Sequence, residues 1–393
     1  MERFDAIVVG AGPAGSTTAY RLARAGARVL LVDKARFPRD KPCGGGLTLR
    51  AVKQLPPGLD VERVVEHVVD RMELRLRYGR SFARRGKGPL ILMTQRRRLD
   101  AHLAEQAAAA GADFRDGVKV TSVEAGAVTV DGRRIEADAI VGADGANGTT
   151  ARALGLGGGF AYGVAFEGNV RYGPVAEERY RSLAAIELGS IPGGYGWVFP
   201  KGDHVNVGVG GWESEGPKLR THLTELCAEH GIADADVESL RGHRLPLRRP
   251  GSVLARGRAL VVGDAAGLVD PLSGDGMYEA FVSSRLAAQA ILELLAGRAE
   301  SLDAYGQAVR RALGPMISAS WGAKVALDRF PRLTFALGRA PLAWDVVERL
   351  LNGEIGSPRD QRGAARVPLR LIEALAKLAG DPGRDFRPEA QTS

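Results

Sequence analysis

The chain has 393 residues, 45% hydrophobic and 25% charged, with a formal net charge of +8 carried mostly by arginine. This is ordinary for two or three packed units, and the basic residues are scattered without any nucleic-acid-binding motif, so a nucleic-acid partner is not expected. The two cysteines, Cys43 and Cys227, form no CxxC pair and no His/Cys cluster has metal-ligand spacing, so no structural metal and a reducing, cytoplasmic setting are expected.

In chain order, Asp5 to Gly10 is a short apolar run of the kind a buried parallel strand needs. Met1 leads almost at once into it, so no signal or transit peptide is expected. A helix is predicted from about Ala14 to Ala25, with Gly26 where a C-terminal cap belongs. Ala27 to Lys34 reads as a second strand, and Phe37 to Gly46 as a Pro/Gly-rich connection. Residues 97–110 look helical and Ala-rich. Ala137 to Gly145 is another buried strand ending in a turn. From about 160 to 212 apolar and polar residues alternate with few helix signals, which predicts antiparallel sheet. Ala259 to Gly267 is a further buried strand, a long helix follows Gly276 to about Ala296, and the remainder reads as helices with Pro breaks. No apolar run of 18 residues or more occurs, so no transmembrane helix is expected.

Gly10-Ala11-Gly12-Pro13-Ala14-Gly15 follows a strand and opens a helix. Gly10 permits the tight turn, Gly12 lets the backbone approach a pyrophosphate, and Gly15 lets helix and strand pack closely. The helix N-terminus offers free N–H groups to the anion. Asp33, 23 residues after Gly10, ends the second strand where a carboxylate can bind a ribose hydroxyl. Gly263-Asp264 ends a later strand before a Gly-rich turn and a helix. That helix's N-terminus near Gly276 can face the electron-rich edge of a reduced flavin. Asp144-Gly145 stands in a comparable strand-to-loop setting, and Arg96 heads a helix four residues before Asp100.

These motifs, in this order, resemble the flavoprotein superfamily of para-hydroxybenzoate hydroxylase. Within it the chain is similar to the geranylgeranyl reductase family. KPCGGGL (Lys41 to Leu47), PGGYGWVFP (Pro192 to Pro200) and DPLSGDGMYEA (Asp270 to Ala280) carry the likeness, and the second matches that family's PxxYxWxFP pattern at every fixed position. The matches cover the chain to about residue 296. Where the family's DG motif often continues to a serine, this chain has Asn147-Gly148-Thr149. The implied class is α/β: a discontinuous Rossmann-like FAD-binding domain (1–70, 95–158, 250–296), an inserted antiparallel β-sheet substrate domain (71–94, 159–249) and a C-terminal helical region (297–393).

The resemblance implies FAD as cofactor and reduction of isoprenoid double bonds as activity; NADPH, ferredoxin and reduced quinone all stand open as the reductant. It assigns Gly10, Gly12 and Gly15 to the pyrophosphate, Asp33 to the adenosine ribose, and Arg96 and Asp264 to the central portion of the flavin. Cys43, Gly44 and Gly45 would lie beside the isoalloxazine. Ala14, Lys34, Val120, Asp144, Gly145, Pro271, Gly274, Gly276 and Met277 complete the implied cofactor contacts. Tyr195 and Trp197 would line a lipid cavity and, with Cys43, form the catalytic set. Tyr195 and Trp197 lie two apart, hence on one face of a strand, where each can stabilise a developing tertiary cation by about 0.5–2 kcal/mol. Tyr195, Cys43 and ordered water all stand as proton donors. The bland alternatives are a small buried Cys43, an aromatic pair serving only as sheet core, and an Arg96 solvated with its neighbours.

Rival readings share the fold. Flavin monooxygenases and halogenases are one; tryptophan-type halogenases carry WxWxIP where this chain has YGWVFP. Rab escort proteins and their relatives bind prenyl groups without catalysis, but their flavin contacts are degenerate. An electron-transfer flavoprotein would need four cluster thiolates, and two cysteines cannot supply them. Finally, in RVPLRLIEALAKLAG, Arg366, Arg370, Glu373 and Lys377 fall on one helical face and Leu371, Leu375 and Leu378 on another. Docking of the leucine face on the core is the preferred reading; peripheral contact with anionic lipid is the other.

Overall fold

The computed structural model describes residues 2–173, 175–249 and 251–380. The last part of the expected helical region, 381–393, lies outside the described residues.

Five strands pair in parallel in the order Ala259–Val261, Arg133–Gly142, Arg3–Val9, Val29–Val32, Asp113–Arg115. Ile7, Leu30, Leu31, Ile140 and Leu260 have no exposed surface, which is why these runs are continuously apolar rather than alternating. The helices Pro13–Arg24, Arg96–Ala109 and Met277–Leu295 start close to the expected positions. Gly26 adopts φ +87° directly after the first of them. Pro13–Arg24 packs against Met277–Leu295, with the Thr17 hydroxyl donating to Ser284 Oγ at 2.8 Å.

A second sheet runs Glu238–Leu247, Ala161–Arg171, His204–Trp212, Tyr195–Lys201, Leu183–Leu188, Arg71–Leu76, Ser81–Arg85. Its pairs are antiparallel except Leu183–Leu188 with Arg71–Leu76. Helix Leu219–Glu229 closes one face over a valine-rich core of Val170, Val198, Val205, Val207 and Val209. A small third sheet, Gly46–Thr48, Ile91–Thr94 and Val65–Val69, joins the two; Ile91–Thr94 pairs there and not in the seven-stranded sheet.

The C-terminal region is helical: Ala304–Arg329, Pro331–Gly338, Pro341–Leu351 and Arg366–Leu378. Pro331 and Pro341 occupy first-turn positions, where the missing N–H costs nothing. Pro315 lies inside the longest helix without ending it. The last helix packs on Ala304–Arg329, but of the leucine face expected to dock only Leu375 is partly buried. Leu371 and Leu378 are 48% and 77% exposed. The buried positions are Pro368 and Ala376, whose compact side chains let the helix approach its neighbour.

Candidate active site

The carboxyl ends of the parallel strands release Gly10, Asp33, Asp144 and Gly263-Asp264 into one crevice. Neighbouring strands Arg3–Val9 and Arg133–Gly142 are followed by strands on opposite sides of the pair, the arrangement in which open α/β sheets bind nucleotides. Gly10 has φ +108°, and a Cβ on it would collide with the Ala143 carbonyl. A Cβ on Gly15 would collide with the Gly10 carbonyl oxygen, so Gly15 serves the packing of helix on strand and does not line the crevice. No side chain caps helix Pro13–Arg24 at Gly12, which leaves its first N–H groups for an anion.

Two guanidiniums face that turn. A Cβ on Gly12 would stand 3.7 Å from Arg39 and 4.0 Å from Arg96. Arg96 is buried and makes two parallel hydrogen bonds to Asp100, at 2.7 and 2.8 Å. Burial opposes its charge, but Asp100 outweighs this and Arg96 stays protonated. Arg39 reaches the same Asp100 at 3.0 Å and Asp33 at 3.7 Å. Asp33 accepts the N–H groups of Ala11 and Ala35, each at 2.9 Å, which holds it against the turn. Sequence reasoning missed Arg39 because nothing local marks it.

Asp264 lies 3.1 Å from Lys41 Nζ and 3.9 Å from His243 Nε2. Burial pushes its carboxyl upward; Lys41 and His243 more than reverse this and hold it well below the usual carboxylate range. Asp144 is partly spent on local structure: Oδ2 accepts from Thr149 and Thr150 N–H at 2.7 and 2.9 Å, while buried Oδ1 has no hydrogen-bond partner among the described residues. Gly148 lies so close to that carboxylate that a Cβ would strike it, which explains the Asn-Gly-Thr sequence here. Pro271 to Gly274 form a loop pinned by Asp270, which accepts from Leu272 and Ser273 N–H at 3.1 and 2.8 Å. Gly276 then opens helix Met277–Leu295, again without a side-chain cap.

The Lys41–Leu47 loop lies across the seven-stranded sheet. Cys43 N–H donates to Glu167 Oε1 at 2.7 Å, the Cys43 carbonyl accepts from Lys201 Nζ at 2.6 Å, and Cys43 Sγ accepts from Gly45 N–H at 3.3 Å. Burial raises the Glu167 carboxyl above its ordinary range, opposed by Lys201. Strand Tyr195–Lys201 presents Tyr195, Trp197 and Phe199 as a ladder, with ring centroids 5.8 and 6.3 Å apart. A Cβ on Gly44 would stand 3.0 Å from the Phe199 ring, so the loop rests on the aromatic wall. Trp197 Nε1 donates to Asn206 at 2.7 Å. The Tyr195 hydroxyl donates to the Ser273 carbonyl, tying the wall to the 271–274 loop.

One cavity of about 1390 Å³ connects all of this. Every residue assigned to the site from sequence lines it except Gly15 and Val120. Val120 lies on the peripheral strand Val120–Glu124, which pairs only with Ala127–Val130. Beyond the aromatic ladder the lining turns apolar, with Leu74, Ile186, Met316, Leu327, Phe335 and Leu351. Asp144 Oδ1, His243 Nε2 and Glu279 Oε2 are buried along the wall without hydrogen-bond partners among the described residues. Such orphaned polar atoms fit a cavity whose polar end is completed by a bound dinucleotide.

Comparison with known proteins agrees. A family model described as an FAD binding domain matches residues 3–169. The chain is 31% identical over 380 residues to the chloroplastic geranylgeranyl diphosphate reductase of Oryza sativa, covering 88% of this chain and 80% of that one. The chain belongs to the geranylgeranyl reductase family. Another relative, the menaquinone reductase of Mycolicibacterium smegmatis, is 35% identical over 313 residues, 73% of this chain and 76% of that one. In fold, the reductase family member resembles a geranylgeranyl bacteriochlorophyll reductase-like protein of Thermoplasma acidophilum (TM-score 0.79, 23% identity, 97% and 100% coverage). It also resembles the flavin-dependent brominase Bmp2 (0.77, 19% identity, 96% and 100%). The chain is thus an FAD-dependent oxidoreductase, and the glycine turn, the two guanidiniums and the strand-end carboxylates fit that cofactor. The non-catalytic alternative is set aside.

Proposed function

We propose that this enzyme reduces carbon–carbon double bonds of isoprenoid lipids. The observation that carries the reading is the continuity of the cavity. A single space runs from the glycine turn, past Cys43 to Gly45 and the aromatic ladder, into an apolar chamber under the C-terminal helices. Relatives named for geranylgeranyl diphosphate and menaquinone reduction support it.

Reduced FAD, when bound, supplies hydride; one proton from the protein or water completes the saturated bond. In this reading, Gly10, Gly12, Ala14, Arg39 and Arg96 bind the pyrophosphate region, and Asp33 with Lys34 the ribose. Asp264 and Asp144, with Gly145, bind toward the flavin's centre. Cys43, Gly44 and Gly45 pack beside the ring system, and Pro271, Gly274, Gly276 and Met277 border its far edge. Trp197 and Tyr195 hold the alkene and face the developing cation. Positioning contributes more than their cation–π attraction.

The test is anaerobic turnover of dithionite-reduced protein with geranylgeranyl lipids, read by mass spectrometry, which needs no physiological electron donor. A gain of two mass units per bond is expected. Product that forms only with oxygen would favour the monooxygenase or halogenase reading. One observation speaks for that alternative: Lys324 lines the cavity. Its Nζ, however, is spent on the Gly193 carbonyl.

A further inference from the structure

Helix Arg366–Leu378 is apolar on two sides. Its inner side carries Pro368 and Ala376, which are buried, and Ile372, which lines the cavity. On an adjoining side, centred about 130° away at 100° per residue, Val367, Leu371, Ala374 and Leu378 are exposed. Their spacing of four, three and four residues puts them in one stripe at 100° per residue. A helix that only docks on a core has no folding reason to carry this second stripe. Of the eight exposed large hydrophobic residues among the described residues, six lie on three neighbouring helices: Leu333, Leu342, Val347, Val367, Leu371 and Leu378. The same three helices, Pro331–Gly338, Pro341–Leu351 and Arg366–Leu378, wall the outer end of the cavity through Phe335, Leu350 and Ile372. Val347 belongs to both sets, so exposed apolar surface and cavity lining are continuous there.

The charge around this face has one predominant sign. Arg332, Arg339, Arg362, Arg370 and Lys377 are exposed on these helices and their connections, against exposed Glu354 and Asp360. None of the five cations makes an ion pair among the described residues. No helix among the described residues is long and apolar enough to cross a membrane. An apolar stripe flanked by unpaired cations suits the boundary between headgroups and acyl chains of an anionic bilayer.

We propose that this three-helix face rests on an anionic lipid bilayer and that the substrate enters the cavity from within that bilayer. The second half rests on the isoprenoid reading above; the docking does not. A greasy chain then passes from acyl chains to cavity wall without crossing water.

The experiment is flotation of the flavin-loaded protein with phosphatidylglycerol/phosphatidylcholine vesicles and with phosphatidylcholine vesicles alone. Wild type is expected to favour the anionic vesicles by roughly tenfold and to lose that preference in high salt. The double variant Leu371→Glu/Leu378→Glu alters side chains that face solvent and do not line the cavity. It should stay yellow, remain in the aqueous fraction, turn over micellar substrate as wild type does, and lose roughly tenfold on vesicle-embedded substrate. Wild type that ignores both vesicle types, or a variant that floats equally well, would overturn the proposal. So would a wild-type dimer that the variant dissociates, since the face would then belong to a second copy. Vesicle binding that appears only after deletion of residues 381–393 would assign the face to that segment and overturn it too. Flotation with no prenyl turnover would sink the functional reading and leave the docking intact.

Discussion

Tyr195 and Trp197 are two residues apart on one strand, yet their hydrogen bonds divide their work. The Tyr195 proton is committed to the Ser273 carbonyl, and burial raises its phenol above the ordinary range. That makes Tyr195 a poor acid and a good wall. Tyr195→Phe is therefore expected to keep kcat within about twofold, whereas Tyr195→Ala loses up to roughly 30-fold, the upper end of one aromatic–cation contact. Steady-state rates check this; a loss of about 100-fold or more in Tyr195→Phe would restore the phenol as general acid. The glycines and strand-end carboxylates were legible because their spacing states a local backbone need. Arg39, Glu167, Lys201 and His243 were not. Glu167 meets Cys43 across 124 positions of sequence, and only the fold brings them together.

Helix Leu219–Glu229 ends at His230, whose Nδ1 lies 2.8 Å from the Tyr180 hydroxyl. Burial, aided by Arg179 and Arg75, lowers this imidazole to about 4. The unfolded chain takes up a proton near pH 6.5, whereas the folded chain does so only near 4. Between these values the unfolded state binds more protons, so stability falls as pH drops through that window and is unaffected by this group above it. His230→Gln should flatten the fall between pH 6.5 and 4, measured as denaturant midpoints at pH 7 and 5. An identical fall in the variant would move the cause elsewhere. Most elements were readable from periodicity and caps, but the last helix misled. Its leucine row has the period of a docking face, and nothing local reveals that Pro368 and Ala376 fit the neighbouring helix better.

At the scale of the molecule, two sheets with separate cores share one cavity. A cofactor bound there adds its affinity to the folded state alone. With free FAD at 100 times its Kd the gain is about 2.7 kcal/mol, equivalent to roughly 3 °C in Tm for a chain of this length. Thermal scans of stripped protein across an FAD titration check this, and a midpoint that does not move over that range would contradict the cradle described here. The discontinuous architecture was legible because nucleotide motifs flank a strand-rich middle. The chamber's outer wall was not, because it is assembled from helices that carry no motif.

The long helix Ala304–Arg329 grips both backbone polar groups of a single residue, Gly193. Lys324 donates to the Gly193 carbonyl, and Asp328 accepts the Gly193 N–H at 2.7 Å and Trp212 Nε1 at 3.1 Å. Gly193 lies two positions ahead of Tyr195, so this helix, which contributes nothing to the glycine turn, braces the start of the strand that carries the aromatic ladder. The nucleotide crevice and the apolar end of the cavity are therefore built from different stretches of chain. On the isoprenoid reading proposed above, chimeras that exchange only the later stretch should change which chain length is accepted without retuning the flavin.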